Sequence, residues 1–528
     1  MDVNSSQQQA IIHKGSHLLI VAGPGTGKTH TLTYRIAHVA QELNSDQKIL
    51  AITFTNKAAN EMRERLLVLF PEGKDVVTLG TFHSFCLEFL REYIQLTDLP
   101  KEFRVASTEE IESLSRRLWP ERKARECQEV LEEISRWKST KFTPLPNPPH
   151  KGEGILNNRK SQVDLYNRTL REEGMLDFDD LLLETVNLLE ANEELRIETQ
   201  RKYSFIFVDE YQDINCVQHE LLRILTMGAG LDAADLNRRT SSPARVTSVF
   251  LTAIGDPNQA IYGFRGADVR FFESFPNDFP GAVVFHLIEN YRSAANLLKA
   301  SGQVINKENT FDVPELTARI YTEGRLTVYE AATDKAEAEY VVHEIEKLVG
   351  GTSLFSQDSR RVDHDTQARH SFGDIAVLYR LNAQSILLDK AFYRSGIPYQ
   401  TAHDPHGDSL DPRAEKVNLM TLHAAKGLEF PVVFIVGCEE NILPLQLENL
   451  TSDQNEERRL FYVGMTRAKE RLYLLRARRR AIFGKFYENK PSPFLEDIEE
   501  QLKAYEQTQY KLSAKNKKEQ EQMMLFKD

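Results

Sequence analysis

The sequence predicts an α/β protein with parallel β-sheets. Two observations lead to this fold class: short apolar runs alternate with helical patterns, and polar groups follow the ends of the apolar runs. Leu18–Ala22 reads as a strand before a helical pattern from His30 to Ala40, and the strand Lys48–Thr55 precedes the helix Lys57–Phe70. This β-α-β order is typical of parallel sheets, because the helix returns the chain to the same end of the sheet.

Composition predicts several globular domains and leaves the activity open. A chain of 528 residues exceeds the size of one hydrophobic core. Hydrophobic residues make up 41% and charged residues 27%, and no apolar run reaches the roughly 20 residues that span a bilayer. The polar N-terminus lacks a signal-peptide pattern, and the four scattered cysteines form no C-x-x-C pair. We therefore expect a cytoplasmic protein with free thiols and no membrane partner.

A glycine-rich loop joins the first predicted strand to the first long helix. Its sequence is Ala22-Gly23-Pro24-Gly25-Thr26-Gly27-Lys28-Thr29, which has the spacing of a P-loop, with Ala22 where the pattern usually begins with Gly. Glycines let backbone N–H groups close around phosphates, and the helix N-terminus favours their negative charge. Lys28 is predicted to reach the β- and γ-phosphates of ATP, and the Thr29 hydroxyl to bind Mg²⁺.

A second predicted strand ends in adjacent carboxylates. Phe205–Val208 is apolar and leads directly into Asp209 and Glu210. Asp209 is predicted to hold Mg²⁺, and Glu210 to activate the water that attacks ATP. Together with the P-loop, this pair predicts a complete site for nucleotide hydrolysis.

Further along, the sequence predicts a helical insertion, a second α/β region and a polar tail. The stretch 96–175 is helical and charged, with a proline-rich break at Thr143–Pro149, and Gly228–Thr247 and Gly350–His370 read as polar loops. Predicted strands resume at Val283–Leu287. The predicted domains are 1–95 with 176–282, the insertion 96–175, the second domain 283–500, and a flexible tail 501–528.

Polar and aromatic groups follow several strand ends, where α/β proteins bind ligands. Phe54 and Asn56 lie at the end of the predicted strand Lys48–Thr55, and His83 follows a further predicted strand, Val76–Leu79. The segment Gly255–Ala267 carries Gln259, whose amide can sense a γ-phosphate or its water, and Tyr262, Phe264 and Arg265, which can stack on unpaired bases. Three more motifs follow at Glu289–Ser293, Thr421–Phe430 and Tyr462–Lys469.

With these motifs in this order, the chain resembles a superfamily 1 DNA helicase of the UvrD/Rep/PcrA type. The resemblance covers roughly residues 2–95, 176–300 and 372–499. It implies two RecA-like P-loop NTPase domains that use ATP and Mg²⁺ and act on single-stranded DNA and its junctions with duplex. It also implies 3′→5′ movement, in repair, recombination or replication.

The resemblance assigns roles to individual residues. Gln7 matches the adenine-reading glutamine, Tyr291 the residue that stacks on adenine, and Glu429 the residue near the ribose. Arg292 and Arg467 match two arginines that the second domain presents to the γ-phosphate, and Gln259 matches the γ-phosphate sensor. Phe54, Tyr262, Phe264, Arg265 and His423 match contacts to single-stranded DNA.

Simpler interpretations remain open for some of these residues. Tyr291 and Phe54 could be core aromatics, and His423 could be an interior histidine. The basic run Arg476–Arg480 could be a solvated face or a contact to DNA. The acids in Leu176–Leu182 are better read as a helix N-cap than as a metal site.

Three departures from the family pattern limit what the resemblance implies. His30 stands where relatives commonly carry Arg, and Phe264 where many carry Trp. Relatives also insert a large helical subdomain, called 2B, where this chain has only Thr401–Lys416. An alternative function follows: a single-strand translocase or protein-displacing motor that needs a partner to unwind duplex. A non-hydrolysing ATP-binding scaffold is disfavoured by the presence of Glu210, Gln259 and Arg467.

The C-terminal end resembles a short docking peptide. Gln522, Leu525 and Phe526 fit the Gln-x-x-Leu-Phe pattern that bacterial replication proteins insert into the sliding clamp. An ordinary chain end is the alternative, because short motifs arise by chance.

Overall fold

A computed structural model of the chain describes residues 3–44, 47–140, 153–227, 249–307, 313–321, 323–350, 370–402, 410–411, 414–447 and 450–506. The described chain divides into two compact units. The first comprises residues 1–290 and 310–316, and the second comprises 291–309 and 317–528.

The first unit alternates strands and helices as the sequence predicts. Its helices are α1 Ser5–Ile12, α2 Lys28–Ala40, α3 Asn56–Leu69, α4 Phe82–Glu92, α5 Thr108–Leu118, α6 Ala124–Ser139, α7 Glu153–Glu172, α8 Phe178–Ala191, α9 Glu193–Lys202, α10 Cys216–Thr226 and α11 Arg270–Asp278. Its strands are β1 Leu18–Ala22, β2 Lys48–Thr53, β3 Val77–Thr81, β4 Arg104–Val105, β5 Met175–Leu176, β6 Tyr203–Val208, β7 Phe250–Gly255, β8 Val283–Leu287 and β9 Glu289–Asn290.

Six of these strands form one parallel sheet in the order β3-β2-β6-β7-β1-β8. The strands β1 and β6 are almost wholly buried, because helices pack on both faces of a parallel sheet. The order places β7 between β6 and β1. The carboxyl ends of these three strands therefore meet at one edge, which is where the predicted phosphate and metal groups follow them.

The predicted helical insertion is present and has its own core. The short parallel pair β4–β5 stands at its start and its end. Between them, α5, α6 and α7 bury a separate apolar cluster that includes Trp119, Ile134 and Tyr166. The predicted breaks at Thr143–Pro149 and Gly228–Thr247 lie outside the described residues.

The second unit contains a larger sheet. Its helices are α12 Ala295–Asn306, α13 Asp334–Leu348, α14 Asn382–Ser395, α15 Gln454–Met465 and α16 Pro493–Glu496. Its strands are β10 Thr317–Ala318, β11 Arg325–Thr333, β12 Ile375–Tyr379, β13 Tyr399–Thr401, β14 Val417–Thr421, β15 Phe430–Ile435, β16 Gln446–Leu447, β17 Leu450–Thr451, β18 Ala468–Ile482, β19 Lys485–Glu488 and β20 Ala504–Glu506. The main sheet runs β13-β14-β12-β15-β18-β11-β20, and β19 pairs antiparallel with β18.

Two predicted boundaries need correction. Val283–Leu287, assigned from sequence to the second domain, forms β8 and pairs in parallel with β1, so the first unit extends to Asn290. The predicted flexible tail begins too early, because Ala504–Glu506 forms β20 beside β11. Glu506 is held there by the Tyr340 hydroxyl, which donates to it at 2.6 Å. The sequence identifies Val283–Leu287 as a strand but not the sheet that it joins, whereas Ala504–Glu506 is short and partly polar, like a linker.

Candidate functional site

The glycine-rich loop connects β1 to the N-terminus of α2. Gly25 and Gly27 have φ angles of +69° and +82°, which L-residues with side chains rarely adopt. Helix α2 begins at Lys28, so the first backbone N–H groups of the helix have no intrahelical acceptors. The loop therefore presents N–H donors and an ammonium group at one point, which suits a polyphosphate.

Gln7 ties α1 to this loop. Its Nε2 donates to the Thr26 carbonyl at 2.9 Å, and its Oε1 accepts from the backbone N–H of Asn4 at 3.1 Å. Gln7 is buried, and a Cβ on Gly27 would lie only 2.8 Å from its Nε2. The absence of a side chain at position 27 thus lets the predicted adenine-reading residue approach the phosphate loop.

Asp209 and Glu210 lie directly beyond β6, two strands away from β1. The Lys28 Nζ is 3.8 Å from Glu210 Oε2, although the two residues are far apart in sequence. Asp209 is buried, and its carboxylate accepts from the backbone N–H of Glu210 at 2.9 Å. Glu210 itself has a left-handed backbone, with φ of +49°. A non-glycine residue in that region is uncommon, and such residues concentrate at functional sites.

A buried amide network orients Glu210. The Gln212 Nε2 donates to Glu210 at 2.5 Å, and the Gln212 Oε1 accepts from the backbone N–H of Asp256 at 2.9 Å. The Gln259 Nε2 in turn donates to Asp256 at 2.6 Å. Burial raises the pKa of Asp256, whereas the Lys28 ammonium opposes that rise. The ends of β6 and β7 are therefore joined through Gln212, a role that no sequence motif indicates.

The residues of the first unit fit a nucleoside triphosphate with a hard divalent cation. The donors are backbone N–H groups and the Lys28 ammonium, and the oxygens of Thr29 and Asp209 are ligands that Mg²⁺ prefers. Within the described residues, no three His, Cys, Asp or Glu side chains come together as a metal site. A cation there would complete its coordination with phosphate oxygens and water.

In the second unit, Glu429 is held between two cations. Its Oε2 lies 2.6 Å from the Arg292 Nε, and its Oε1 lies 2.8 Å from the Lys469 Nζ. Burial raises the pKa of Glu429, but the two cations outweigh this effect and lower the pKa to about 2. Glu429 is therefore ionised at neutral pH and fixes the orientation of Arg292.

Arg467 is buried within the second unit. Its guanidinium donates to the carbonyls of Val463 at 2.9 Å and Leu428 at 3.1 Å. Tyr291 and His423, which also belong to this unit, are both half-buried. Neither side chain is therefore fully buried, as a core residue would be, and neither is fully exposed.

Most of the residues predicted to contact DNA in the first unit line one groove of about 570 Å³, namely Phe54, His83, Tyr262, Phe264 and Arg265. The rings of Phe54 and Tyr262 stack with centroids 5.2 Å apart and planes at 14°. The Arg265 guanidinium carbon lies 5.6 Å from the ring centroids of both Tyr262 and Phe264. Phe264 exposes 56% of its surface, an unusual value for a large apolar side chain. The groove therefore offers an aromatic platform of the kind that stacks on unpaired bases.

His83 and Asn56 are the two other residues of the first unit in the predicted set. His83 lines the groove and contacts Phe178 edge to face at 5.5 Å, and burial lowers the pKa of His83. Asn56 is exposed at the N-terminus of α3, beside Phe54 in sequence. His83 is therefore neutral at pH 7, so it can contact a base but does not attract phosphate through charge.

The other wall of the groove comes from the helical insertion, which the sequence analysis left without a role. Helix α6 contributes Glu132, Ser135, Arg136 and Ser139 to the lining. No local motif could have identified these residues, because they meet Phe264 only through the tertiary fold.

The acidic cluster in Leu176–Leu182 is a helix cap, as predicted. The Asp177 side chain accepts from the backbone N–H of Asp180 at 2.8 Å at the start of α8. Both carboxylates also accept from the Lys138 ammonium at 2.7 Å. They are thus neutralised by a buried cation rather than by a metal.

The basic run Arg476–Arg480 lies on β18 and is largely paired. Arg476 and Arg478 both contact Glu330. Arg480 is buried, and it donates to Glu439 at 2.5 Å and to Glu337 at 2.7 Å. The run therefore stabilises the second unit internally, and most of its charge is already compensated there.

Two further expectations concern the ends of the chain and membranes. The predicted clamp peptide, with Gln522, Leu525 and Phe526, lies outside the described residues. Among the described helices, none is long and apolar enough to cross a bilayer.

Two protein-family models match most of the chain, and two relatives align with 95% of it. The family model described as "UvrD/REP helicase N-terminal domain" matches residues 3–280, and "UvrD-like helicase C-terminal domain" matches 285–406 and 403–479. A protein named ATP-dependent DNA helicase PcrA, from Staphylococcus epidermidis strain RP62A, is 29% identical over 670 residues, covering 95% of this chain and 87% of the relative. Its namesake from Staphylococcus aureus strain Mu50 is 27% identical over 669 residues, covering 95% and 86%.

Proposed function

Because the chain belongs to the UvrD/Rep family of ATP-dependent DNA helicases, we propose that it is a motor that moves 3′→5′ along single-stranded DNA. Its two α/β units are the two RecA-like domains of that family. One observation carries the proposal, namely that the first unit holds two sites. The P-loop and Glu210 lie at one edge of its sheet. A groove lined by stacked aromatic rings also contains Arg265.

For ATP hydrolysis, we assign Lys28 to the β- and γ-phosphates and Glu210 to the attacking water. The support for this assignment is the 3.8 Å approach of these two side chains and the Gln212 amide that orients Glu210. Gln259 is proposed to sense the γ-phosphate. Mg²⁺ held by Thr29 and Asp209 would neutralise charge on the phosphates.

The second unit is proposed to supply Arg292 and Arg467 to the charge that develops on the γ-phosphate. Arginines in this role stabilise the transition state and make hydrolysis depend on the conformation that presents them. Tyr291 is proposed to stack on adenine, and Glu429 to position Arg292. The change in nucleotide state must alter DNA affinity for hydrolysis to drive movement.

The DNA-contacting set is proposed to be Phe54, Asn56, His83, Tyr262, Phe264 and Arg265 of the first unit, with His423 of the second. Stacking on aromatic rings tolerates any base sequence, because every base has a π face. Such a set suits a motor that must move over arbitrary sequence.

The decisive experiment measures ATP hydrolysis by the full chain with single-stranded DNA, duplex DNA and RNA. We expect single-stranded DNA to stimulate hydrolysis most strongly, and Lys28→Ala to reduce the stimulated rate by about 100-fold or more. Lys14→Ala is the matched control, because Lys14 is an exposed lysine that pairs with Glu42 at the surface. Full activity of Lys28→Ala would reject the assignment. Unwinding of duplexes with 3′ or 5′ tails then tests the direction.

A second candidate is a single-strand translocase that does not unwind duplex without a partner. The specific observation is that β13 ends at Thr401 and its parallel neighbour β14 begins at Val417, so only a short stretch of chain connects them. In addition, the alignment with the Staphylococcus epidermidis relative is 670 residues long, whereas this chain has 528. We propose that the residues without a counterpart include the 2B subdomain.

Two assays on the same preparation separate these candidates. Translocation can be followed by displacement of a protein block from single-stranded DNA, and unwinding by strand release from a 3′-tailed duplex. Movement without strand release supports the second candidate, and equal rates of both support an autonomous helicase. The proposed clamp contact is tested separately: deletion of residues 522–528 should abolish binding to a bacterial sliding clamp.

A further inference from the structure

The groove wall formed by α6 carries a cation, in a groove that the carboxylates of Glu132, Asp179 and Asp213 also line. Arg136 lines the groove together with Phe264 and Arg265. Its guanidinium forms no ion pair or hydrogen bond with any residue in the described part of the chain. By contrast, Arg116 on α5 and Arg125 near the start of α6 pair with Glu112 and Glu129 at i,i+4 spacing.

The position of Arg136 is fixed by its neighbours in α6. Lys138 is fully buried, and its ammonium donates to Asp177 and Asp180 at 2.7 Å each. It also lies 5.1 Å from the ring centroid of Tyr166. Burial lowers the pKa of Lys138, but the two carboxylates outweigh this effect and raise the pKa. The ammonium therefore remains charged. This link fastens the last turn of α6 to the N-terminus of α8.

Ser139 makes the second attachment. Its carbonyl accepts from the Cys216 thiol at the start of α10. A Cβ on Gly266, whose φ is +85°, would lie 2.7 Å from Ser139 Oγ. The end of α6 therefore packs directly against the turn that follows Phe264 and Arg265, so the spacing between Arg136 and the aromatic platform is set by packed contacts.

We propose that Arg136 binds a backbone phosphate of the nucleic-acid strand whose bases stack on Tyr262 and Phe264. Single-strand grooves combine a stacking surface on one side with cations that follow the phosphates on the other. Arg265 lies over the two aromatic rings, which leaves Arg136 as the cation on the opposite wall. The inference rests on the proposed action on single-stranded DNA and extends it by giving the helical insertion a direct role in binding.

The test compares four full-length proteins: wild type, Arg136→Ala, Arg136→Lys and the matched control Arg116→Ala, which also removes one positive charge from the insertion. Binding of fluorescein-labelled oligo-dT and of a mixed-sequence single strand is followed by anisotropy from 50 to 300 mM salt. Arg136→Ala should weaken both complexes about three- to tenfold at low salt, and reduce the slope of log K against log salt by about 0.7. Arg136→Lys should keep the wild-type slope, and Arg116→Ala should behave as wild type.

Three outcomes would overturn the proposal. Arg136→Ala could bind with wild-type affinity and slope, while the wild type binds single-stranded DNA well; then only the contact is wrong. Arg116→Ala could lose as much as Arg136→Ala, which would indicate a general charge effect. The wild type could fail to bind single-stranded DNA at all, which would reject the proposed function along with this contact.

Discussion

Replacement of Lys138 by Met tests whether a single buried cation fastens the helical insertion to the first motor domain. Methionine keeps a similar unbranched shape but removes the charge. The substitution leaves Asp177 and Asp180 buried and close together without a cation, and both are almost inaccessible to solvent. Removal of one partner from a buried ion cluster typically costs about 3–5 kcal/mol. We expect a loss of this size in the free energy of unfolding of the insertion.

The assay is direct because the chain has two tryptophans, and both belong to the insertion. Trp119 ends α5 and is buried, and Trp137 precedes Lys138 in α6. Tryptophan fluorescence therefore reports unfolding of this part in a much larger protein. If the free energy of unfolding decreases by about 2 kcal/mol per M urea, a loss of about 4 kcal/mol should lower the urea midpoint of unfolding by about 2 M.

Two variants make the outcome decisive. Lys101→Met removes an exposed lysine near the insertion and should leave the midpoint unchanged. The triple variant Lys138→Met, Asp177→Asn, Asp180→Asn should be more stable than Lys138→Met alone, because no uncompensated charge remains. A midpoint shift below about 0.3 M, or a triple variant as unstable as the single one, would refute the reasoning.

Three further predictions concern the site itself. Glu210→Gln should lower the single-turnover rate of ATP hydrolysis by about 100-fold or more while ATP still binds, and an unchanged rate would remove Glu210 from the role of base. Gly27→Ala should weaken ATP binding, measured by titration calorimetry, more than Gly15→Ala does. Both glycines have positive φ, but of these two positions a Cβ meets a neighbour only at 27. Equal effects of the two substitutions would contradict a specific role for that contact. Burial and the charge of Asp177 raise the pKa of Asp179, which lines the groove, to about 6. Protonation removes a negative charge as pH falls from 7 to 5, so single-strand binding should tighten over that range, and Asp179→Asn should bind more tightly at pH 7.5 and lose this step in its pH profile.

The sequence indicates the candidate phosphate site because its motifs are local. A P-loop places its glycines, Lys28 and Thr29 within one turn, and the Asp209–Glu210 pair follows its strand directly. The parallel sheet then brings these groups together, since the carboxyl ends of β1, β6 and β7 share one edge. Their juxtaposition is therefore implied as soon as the sheet is recognised as parallel.

Other features depend on long-range packing and could not be read from the sequence. Arg136 and Phe264 share a groove only because α6 packs against the turn at Gly266. Arg480 looks like part of a solvated basic run, yet it is buried beside Glu337 and Glu439, whereas Arg478, two residues earlier on the same strand, is exposed. Pairing of β8 with β1 likewise depends on sheet topology, so composition alone placed that strand in the wrong domain.

The four cysteines have a practical consequence for measuring movement. Cys86, Cys127, Cys216 and Cys438 are all buried and none forms a disulfide. Buried thiols react slowly with maleimides, because the reactive thiolate is disfavoured away from water. One cysteine introduced at an exposed position in each unit could therefore carry a donor and an acceptor dye in the otherwise native chain. Energy transfer between them would then follow the two units through each nucleotide state, without first removing the natural thiols.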